Sequence, residues 1–181
     1  LLKVDSLGFS ANNITYSVFG DKMGYWGFFP ADDKWGIVPM WGFATVIASN
    51  QSDIQVGEKV FGYLPMASHL TITAGKVSAS HFFDISEKRK SISPVYDNYV
   101  RCATDPGYQA NREAWQLNYR PLFMTSFVLD DFVGEYLQQS IKPVEQVILT
   151  SASSKTAYGA AHLLSKHKKQ RDLSYQVVGL T

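Results

Sequence analysis

The sequence contains a single cysteine, Cys102, among its 181 residues. One cysteine excludes an intrachain disulfide and any zinc cluster built on several thiolates. It is also typical of a reducing compartment, so we expect a cytoplasmic protein. No apolar run reaches the roughly 20 residues needed to span a bilayer, and no secretory signal is recognisable at its start. We therefore expect no membrane partner.

The chain also has little excess charge, with 17 Lys and Arg against 16 Asp and Glu and a formal net charge of +1. This balance gives no electrostatic basis for binding nucleic acid. Hydrophobic residues make up 45% and charged residues 18%, which predicts a packed core rather than disorder. The first residue is not Met and the last segment, "YQVVGLT", is strand-like, so we expect the natural polypeptide to extend beyond both ends.

The first part of the chain predicts several short strands separated by turns, the pattern of a small antiparallel barrel. The candidate strands are "LLKVDSLGFS", "GIVPMWGFATVIAS" with a bend at Gly42, "KVFGYLPM", and one or two strands within "SHLTITAGKVSASHFFDIS". Between the first two, "NNITYSVFG" predicts a short helix or turn capped by Asn12 or Asn13.

The region from Glu87 to Tyr119 has no clear period, and we interpret it as irregular with one short helix around Glu113. It opens on the charged run "EKRKS", which is typical of a solvated surface. The segment "LFMTSFVLDDFVGEYLQQS" then has apolar residues at helical spacing and predicts a helix ending at Ser140. These apolar residues are Phe123, Phe127, Val128, Phe132 and Leu137.

The last part reads as strand "QVILT", turn "SASSK", helix "TAYGAAHLLSKH" and strand "YQVVGLT", a β-α-β unit with parallel strands. A helix that begins after such a turn presents unpaired N–H groups and a partial positive charge, which favour phosphate. The turn has no glycine. It offers instead the side-chain hydroxyls of Ser151, Ser153, Ser154 and Thr156 and the charge of Lys155, and we expect these residues to form an anion site. A simple helix cap at Ser153 or Ser154 is the alternative, and it is compatible with phosphate binding.

The order of these parts resembles the medium-chain dehydrogenase/reductase superfamily, in its zinc-free quinone-oxidoreductase branch. Four stretches carry the resemblance: "SLGFSANNITYSVFG", "GIVPMWGFATVIAS", "VGEKVFGY" and "QVILTSASSKTAYGAAHLL" with the following "YQVVGLT". The family turn is typically Gly-Ala-Ser-Gly-Gly-Val-Gly, whereas this chain has Ser-Ala-Ser-Ser-Lys-Thr-Ala, which indicates a divergent branch.

The resemblance implies a mixed α/β fold in two parts. Residues 1–122 would form a GroES-like barrel with an irregular insertion near 87–119. Residues 123–181 would form a linking helix and the first β-α-β unit of an incomplete Rossmann-type domain with a doubly wound parallel sheet.

The resemblance also implies an NADP-dependent, zinc-free oxidoreductase that transfers hydride to an activated carbonyl or alkene of a small molecule, and it allows a homodimer. Tyr16 matches a tyrosine near the reacting end of the cofactor, where a phenol can donate a proton to a developing oxyanion. A core or rim tyrosine is the alternative. Thr125 matches a position that touches the carboxamide end of the cofactor, and its alternative is a helix N-cap.

We expect no metal, because a catalytic zinc needs about three Cys, His or Glu ligands. Cys102 lies outside the matching segments, and His69 and His81 each stand alone. Two other functions remain open at the level of sequence. One is a binding or structural protein that keeps the reductase fold without its chemistry, which the turn without glycine favours. The other is a protein that binds a different phosphate-bearing ligand through Lys155.

Overall fold

The computed structural model describes residues 1–32, 34–89 and 93–181. The chain divides into two compact units, Leu1–Asn118 and Tyr119–Thr181, which we call the N-terminal unit and the C-terminal unit. The architecture is mixed α/β, with antiparallel strands in the first unit and parallel strands in the second. Within the described residues, no helix combines the length and the apolar character needed to cross a bilayer.

The N-terminal unit is built on one antiparallel sheet in the order β4-β1-β2-β3-β7-β6-β5. Its strands are β1 (Leu2–Leu7), β2 (Pro39–Val46), β3 (Lys59–Pro65), β4 (His69–Leu70), β5 (Ala74–Gly75), β6 (His81–Asp84) and β7 (Asn98–Arg101). The two edge strands, β4 and β5, are close neighbours in sequence. The sheet therefore curls into a half-barrel, and the predicted antiparallel strands are confirmed at this level.

The core of the N-terminal unit lies on both faces of this curled sheet, because consecutive strand residues such as Phe43 and Ala44 point to opposite faces and belong to different clusters. Its buried side chains form two clusters. The first cluster comprises Leu2, Ala44, Val46, Ile54, Val60, Leu64, Phe82 and Tyr99. The second cluster comprises Phe43, Phe61, Cys102 and Leu117. Cys102 is thus a small apolar core residue, which is how a buried free cysteine usually behaves.

The prediction of an irregular region from Glu87 to Tyr119 is wrong for β7. This strand lies between β3 and β6 near the middle of the sheet, and it was missed because only four residues pair. The surface assignment of the "EKRKS" run is wrong for Arg89, whose side chain is buried. Lys90 and Ser91 of that run lie outside the described residues.

Short helices connect the strands. They are α1 (Ala11–Val18), α2 (Gly20–Met23) and 3-10 turns at Tyr25–Gly27, Glu87–Arg89, Pro94–Tyr96, Cys102–Thr104 and Ala110–Arg112. Helix α1 confirms the predicted short helix, but its N-cap is Ser10 rather than Asn12 or Asn13. Asn13 completes this cap, because its Oδ1 accepts a hydrogen bond from the Ser10 N–H at 2.8 Å.

A single helix, α3 (Glu113–Gln138), replaces the two helices expected around Glu113 and after Leu122. Pro121 lies between the two expected helices, and a proline cannot donate a backbone hydrogen bond and usually ends a helix. The helix continues through Pro121 instead. The missing N–H leaves the carbonyl of Leu117, four residues earlier, without its usual helical donor.

Strand β1 ends at Leu7, and the next residue, Gly8, packs directly against the same Leu117 carbonyl. A Cβ built on Gly8 would lie 2.6 Å from the Leu117 oxygen, and the Gly8 N–H donates to the Trp41 carbonyl at 2.8 Å. Backbone surrounds the position on both sides, so neither neighbour can rotate away from an added methyl group.

We expect Gly8→Ala to lower the free energy of unfolding by about 1–3 kcal/mol, the usual cost of forcing an extra carbon into a packed site. Urea denaturation of the two proteins measures this difference. Gly27→Ala is the matched control, because a Cβ there meets nothing within 4 Å. Equal stability of the two variants would show that Gly8 and Leu117 do not approach so closely.

The C-terminal unit contains β8 (Gln146–Thr150), α4 (Lys155–His167) and β9 (Gln176–Leu180). β8 and β9 pair in parallel from Gln146 opposite Gln176 to Thr150 opposite Leu180, so the predicted β-α-β unit is confirmed. Its core comprises Leu137, Ala160, Leu164 and Tyr175. Within the described residues this sheet has two strands, which establishes a parallel pair but not a doubly wound sheet.

Candidate functional site

Tyr16 lies on α1 in the N-terminal unit, and buried contacts hold this helix in place. Asn13 is buried, and its Nδ2 donates to the Pro39 carbonyl at the start of β2 at 3.1 Å. Together with the cap at Ser10, this bond fixes the first turn of α1 against the sheet. Tyr16, in the next turn, is partly exposed.

A line of aromatic rings runs from Tyr16 to the sheet. Tyr16 stacks on Tyr25 with ring centroids 4.1 Å apart and planes inclined by 21°. Tyr25 stacks on Phe28 at 5.6 Å, and Phe28 meets Tyr63 and Tyr96 edge-on at 5.2 and 5.1 Å. Aromatic contacts of this kind stabilise their packing beyond the area they bury. The sequence did not predict this cluster, because its members come from segments far apart in the chain.

The environment of Tyr16 makes its phenol a neutral donor at pH 7. Burial raises the pKa of Tyr16, and the neighbouring Tyr96 raises it further. Side-chain hydrogen bonds with Tyr25 and Asn12 act in the opposite direction and lower that pKa. A phenol with these neighbours keeps its proton in the resting protein and has partners that stabilise the phenolate once the proton leaves.

The turn after β8 is held by three backbone or side-chain hydrogen bonds. The Ala152 N–H donates to the Leu180 carbonyl at 3.0 Å, and the Ser154 N–H donates to the Ser151 carbonyl at 2.9 Å. Ser154 Oγ accepts from the Ala157 N–H at 3.2 Å, so Ser154 is the N-cap of α4. This confirms the capping alternative for Ser154; Ser153 is not the cap.

Ser151 adopts φ +50°, in the left-handed region that favours glycine. A non-glycine residue there costs of order 1–3 kcal/mol unless the surroundings impose it, and such residues cluster at functional sites.

The side chains of the turn are available to a ligand. Ser151, Ser153, Ser154 and Lys155 are exposed, and Thr156 is partly exposed. Lys155 is the first residue of α4, so its ammonium group extends from the end of the helix that carries the partial positive charge. The structure thus brings together the five residues predicted for the anion site, of which four are exposed and Thr156 is partly exposed.

Thr125 lies inside α3 and is exposed. The alternative of a helix N-cap is wrong, because α3 begins at Glu113. The next residue, Ser126, is buried and donates from its hydroxyl to the Thr156 carbonyl at 2.8 Å. Thr125 is therefore one residue from the contact that ties α3 to the first turn of α4.

The histidines considered for zinc stand apart. His69 Nδ1 lies 2.9 Å from Ser68 Oγ, and His81 Nδ1 lies 2.9 Å from Ser80 Oγ. Over residues 1–32, 34–89 and 93–181, no group of three or more His, Cys, Asp or Glu side chains is arranged to hold a metal ion.

One buried charge cluster in the N-terminal unit was not predicted. Arg89 Nε lies 3.4 Å from Asp84 Oδ2 and 3.7 Å from Asp97 Oδ1, and its guanidinium carbon lies 4.5 Å from the centre of the Phe29 ring. Burial raises the pKa of Asp97, although Arg89 acts against this. No local pattern connects these residues, so only the fold could reveal the cluster.

Comparison with known proteins gives one match. No curated protein and no solved structure matches the chain. A family model described as "Protein of unknown function (DUF2855)" matches residues 7–181, which is most of the chain. The match includes Tyr16, Thr125 and the whole turn from Ser151 to Thr156. The chain therefore belongs to the DUF2855 family of proteins of unknown function.

Proposed function

We propose that this protein is an NADP-dependent, zinc-free oxidoreductase that transfers hydride to an activated carbonyl or alkene of a small molecule. The observation that carries the proposal is the parallel β8-α4-β9 unit with its exposed turn. In open parallel sheets, ligands bind outside the carboxyl ends of the strands, and the turn from Ser151 follows the carboxyl end of β8. The proposal includes a GroES-like and Rossmann-type relationship for the two units.

The residues of the turn fit a dinucleotide phosphate. Ser154 already bonds the Ala157 N–H, so the backbone N–H groups of Lys155 and Thr156 are the free donors of the first turn. Serine hydroxyls and one ammonium group complete a set of donors with no nearby carboxylate in the segment 151–156. Helix N-termini with such donors bind phosphate well.

The bound cofactor would supply hydride from its reduced nicotinamide. The protein would supply the proton, and Tyr16 is its candidate donor. A phenol that is neutral at pH 7 can protonate an oxygen as negative charge develops on it. In this proposal Thr125 contacts the carboxamide end of the cofactor and Ser151, Ser153, Ser154, Lys155 and Thr156 contact its phosphates.

We expect Lys155→Ala to weaken NADPH binding by roughly ten- to a hundredfold, because a charged hydrogen bond contributes about 1.5–3 kcal/mol. Quenching of the protein's tryptophan fluorescence by added NADPH measures this change. The melting temperature should stay the same or rise slightly, since a lysine at a helix start costs about 0.3–1 kcal/mol. Lys166→Ala, an exposed lysine in the last turn of the same helix, is the matched control. Equal affinity of the Lys155→Ala variant and the parent would show that Lys155 is only a solvated side chain.

A second candidate function follows from the same turn. The turn has no glycine, so its backbone cannot approach a pyrophosphate as closely as the glycine-rich turn of the medium-chain dehydrogenase/reductase superfamily does. A smaller phosphate-bearing ligand would still fit such a turn. A non-catalytic relative that binds no ligand there would not need the glycines. A thermal-shift comparison separates the three cases. Stabilisation by NADPH alone supports the reductase, stabilisation by other phosphates supports the alternative ligand, and no shift supports the non-catalytic relative.

A further inference from the structure

The N-terminal unit has a pocket beside the open side of its curled sheet. In the described part of the sheet, β4 and β5 are the two edge strands, and residues 71–73 connect them. The pocket lies next to this connection, has a volume of about 390 Å³ and is lined by residues of the N-terminal unit alone. Small-molecule sites have volumes of about 300–1,000 Å³ and often lie in the mouths of β-barrels.

The floor of the pocket is apolar. Leu2, Val46, Ile54 and Phe82 line it, and these four residues belong to the first core cluster of the sheet and are at most 5% exposed. Ile72 lines the pocket as well and packs against the same cluster. Side chains in a close-packed core hold fixed positions, so the floor is already formed before any ligand enters.

Polar residues form the rim of the pocket. Ser49, Asn50 and Gln51 come from the loop between β2 and β3, and Thr71 comes from the connection between β4 and β5. Gln51 Nε2 donates to the Ala74 carbonyl at 3.4 Å, which ties the loop to β5. Asn50 and Thr71 are exposed at the rim. Their amide and hydroxyl groups can therefore bond a polar group of a ligand whose apolar part lies on the floor.

The side chains that line the pocket are all uncharged. Moving an ionised group from water into apolar surroundings costs free energy unless a charged or hydrogen-bonding partner compensates it. The pocket therefore favours a neutral ligand over an anion. This preference is the opposite of that expected for the turn from Ser151 to Thr156, where Lys155 and the helix end favour phosphate.

The pocket is also separate from the place where Tyr16 is held. Helix α1, which carries Tyr16, is bonded to Pro39 at the start of β2, whereas Val46 at the end of β2 lines the pocket. At about 3.3 Å per residue, the two ends of this strand lie roughly 20 Å apart. A small ligand in the pocket therefore leaves the first turn of α1 untouched.

We propose that this pocket is a second ligand site, and that it takes a neutral, mainly apolar small molecule with one or two polar groups. The apolar part of the ligand packs on the floor formed by the first core cluster, and its polar groups bond the rim at Asn50, Gln51 or Thr71. The inference is independent of the proposed reductase activity, because the pocket lies wholly in the N-terminal unit and no cofactor takes part.

Two dyes with the same ring skeleton test the preference for a neutral ligand. N-phenylnaphthylamine is neutral, and anilinonaphthalene sulfonate carries a sulfonate on the same rings. We expect the neutral dye to shift the methyl NMR signals of Val46, Ile54 and Ile72. The sulfonate dye at the same concentration should leave these signals in place. Val128, which is exposed on α3, serves as the comparison for binding to an exposed apolar surface.

Three variants locate the site. Ala48 is an exposed lining residue, so Ala48→Trp should fill the opening and weaken binding of the neutral dye by at least about tenfold. Ala67→Trp, an exposed position of the same unit outside the pocket, is the matched control and should bind like the parent. Thr71→Lys should raise the affinity for the sulfonate dye about two- to fivefold, as expected for an exposed ion pair. In this variant the sulfonate dye should shift the Val46 and Ile72 signals.

The proposal is overturned if the neutral dye leaves the signals of Val46, Ile54 and Ile72 in place, whether or not the Val128 signal moves. Equal affinity of Ala48→Trp and Ala67→Trp for this dye, with both variants folded, overturns it as well. Equal shifts by the two dyes in the parent protein would contradict the preference for a neutral ligand.

Discussion

Replacing Asp130 by Asn is expected to lower the free energy of unfolding by about 3 kcal/mol. Asp130 lies on α3 with 1% of its surface exposed. Arg171 donates to both of its oxygens, at 3.0 and 2.9 Å, and His167 Nδ1 lies 2.7 Å from Oδ2. Breaking a buried ion pair costs roughly 3–5 kcal/mol because the remaining charge is left without its partner. Arg171 and His167 are partly exposed, so water offsets part of the loss and the low end applies.

The cost of this substitution should depend on pH in a defined direction. Burial by itself would raise the pKa of Asp130, but the hydrogen bonds from Arg171 and His167 outweigh it and the net pKa is lowered. A carboxyl with a lowered folded-state pKa stabilises the protein fully above its unfolded pKa of about 3.9, and this contribution is lost as the pH falls below that value. The difference in stability between parent and variant should therefore be largest near pH 7 and shrink below about pH 4.

Urea denaturation of both proteins at pH 7, 5 and 3.5 measures this dependence. Asp131→Asn is the matched control, because Asp131 is the next residue on the same helix and is exposed. Its substitution should change stability by less than about 0.5 kcal/mol. An Asp130→Asn variant as stable as the control at pH 7 would contradict the ion-pair network.

The position of Asp130 shows why sequence periodicity predicted α3 but not its buried side. Apolar residues at helical spacing correctly indicated a helix, yet Phe127, Val128 and Phe132 are exposed in this structure. Leu137 is buried as predicted, but the rest of the buried face carries Ser126, Asp130 and Gly134. These side chains are short, so α3 approaches α4 closely: a Cβ on Gly159 would lie 2.6 Å from Ser126 Oγ. Hydrophobic spacing cannot identify a face that is buried by polar and small residues.

The elements with strong local signals were predicted well. The β8-α4-β9 unit has a short apolar run, a serine cap and an alanine-rich helix in sequence, and each lies where the pattern predicted. The predictions from sequence were wrong where long-range contacts determine secondary structure or burial. β7 has four paired residues and owes its place to β3 and β6 on either side. Arg89 looked like part of a charged surface because its partners, Asp84 and Asp97, come from other segments.

The same difference between local signals and long-range contacts applies to the candidate site. The turn from Ser151 to Thr156 is one continuous segment, so its residue types and its helix cap could be predicted together. The partners of Tyr16 could not be predicted, because Tyr25 reaches it only through the left-handed turn at Gly24. A glycine in an aromatic-rich segment has many possible conformations. The stacking of Tyr25 on Tyr16 therefore becomes visible only in the folded chain.

Replacing Tyr16 by Phe is expected to lower turnover roughly ten- to a thousandfold, the range between the loss of a weak proton donor and the loss of a main one. The ring remains, so the 4.1 Å stack on Tyr25 is kept and stability should change little. The substrate binds before the proton moves, so KM should stay nearly constant while kcat falls. Steady-state NADPH oxidation by the protein measures both constants, with Tyr136→Phe as the control. If the Tyr16 hydroxyl takes no part in proton transfer and the residue only packs in the aromatic cluster, kcat will be unchanged. Full turnover in Tyr16→Phe would thus remove Tyr16 as the proton donor while leaving nucleotide binding at the Ser151–Thr156 turn untouched.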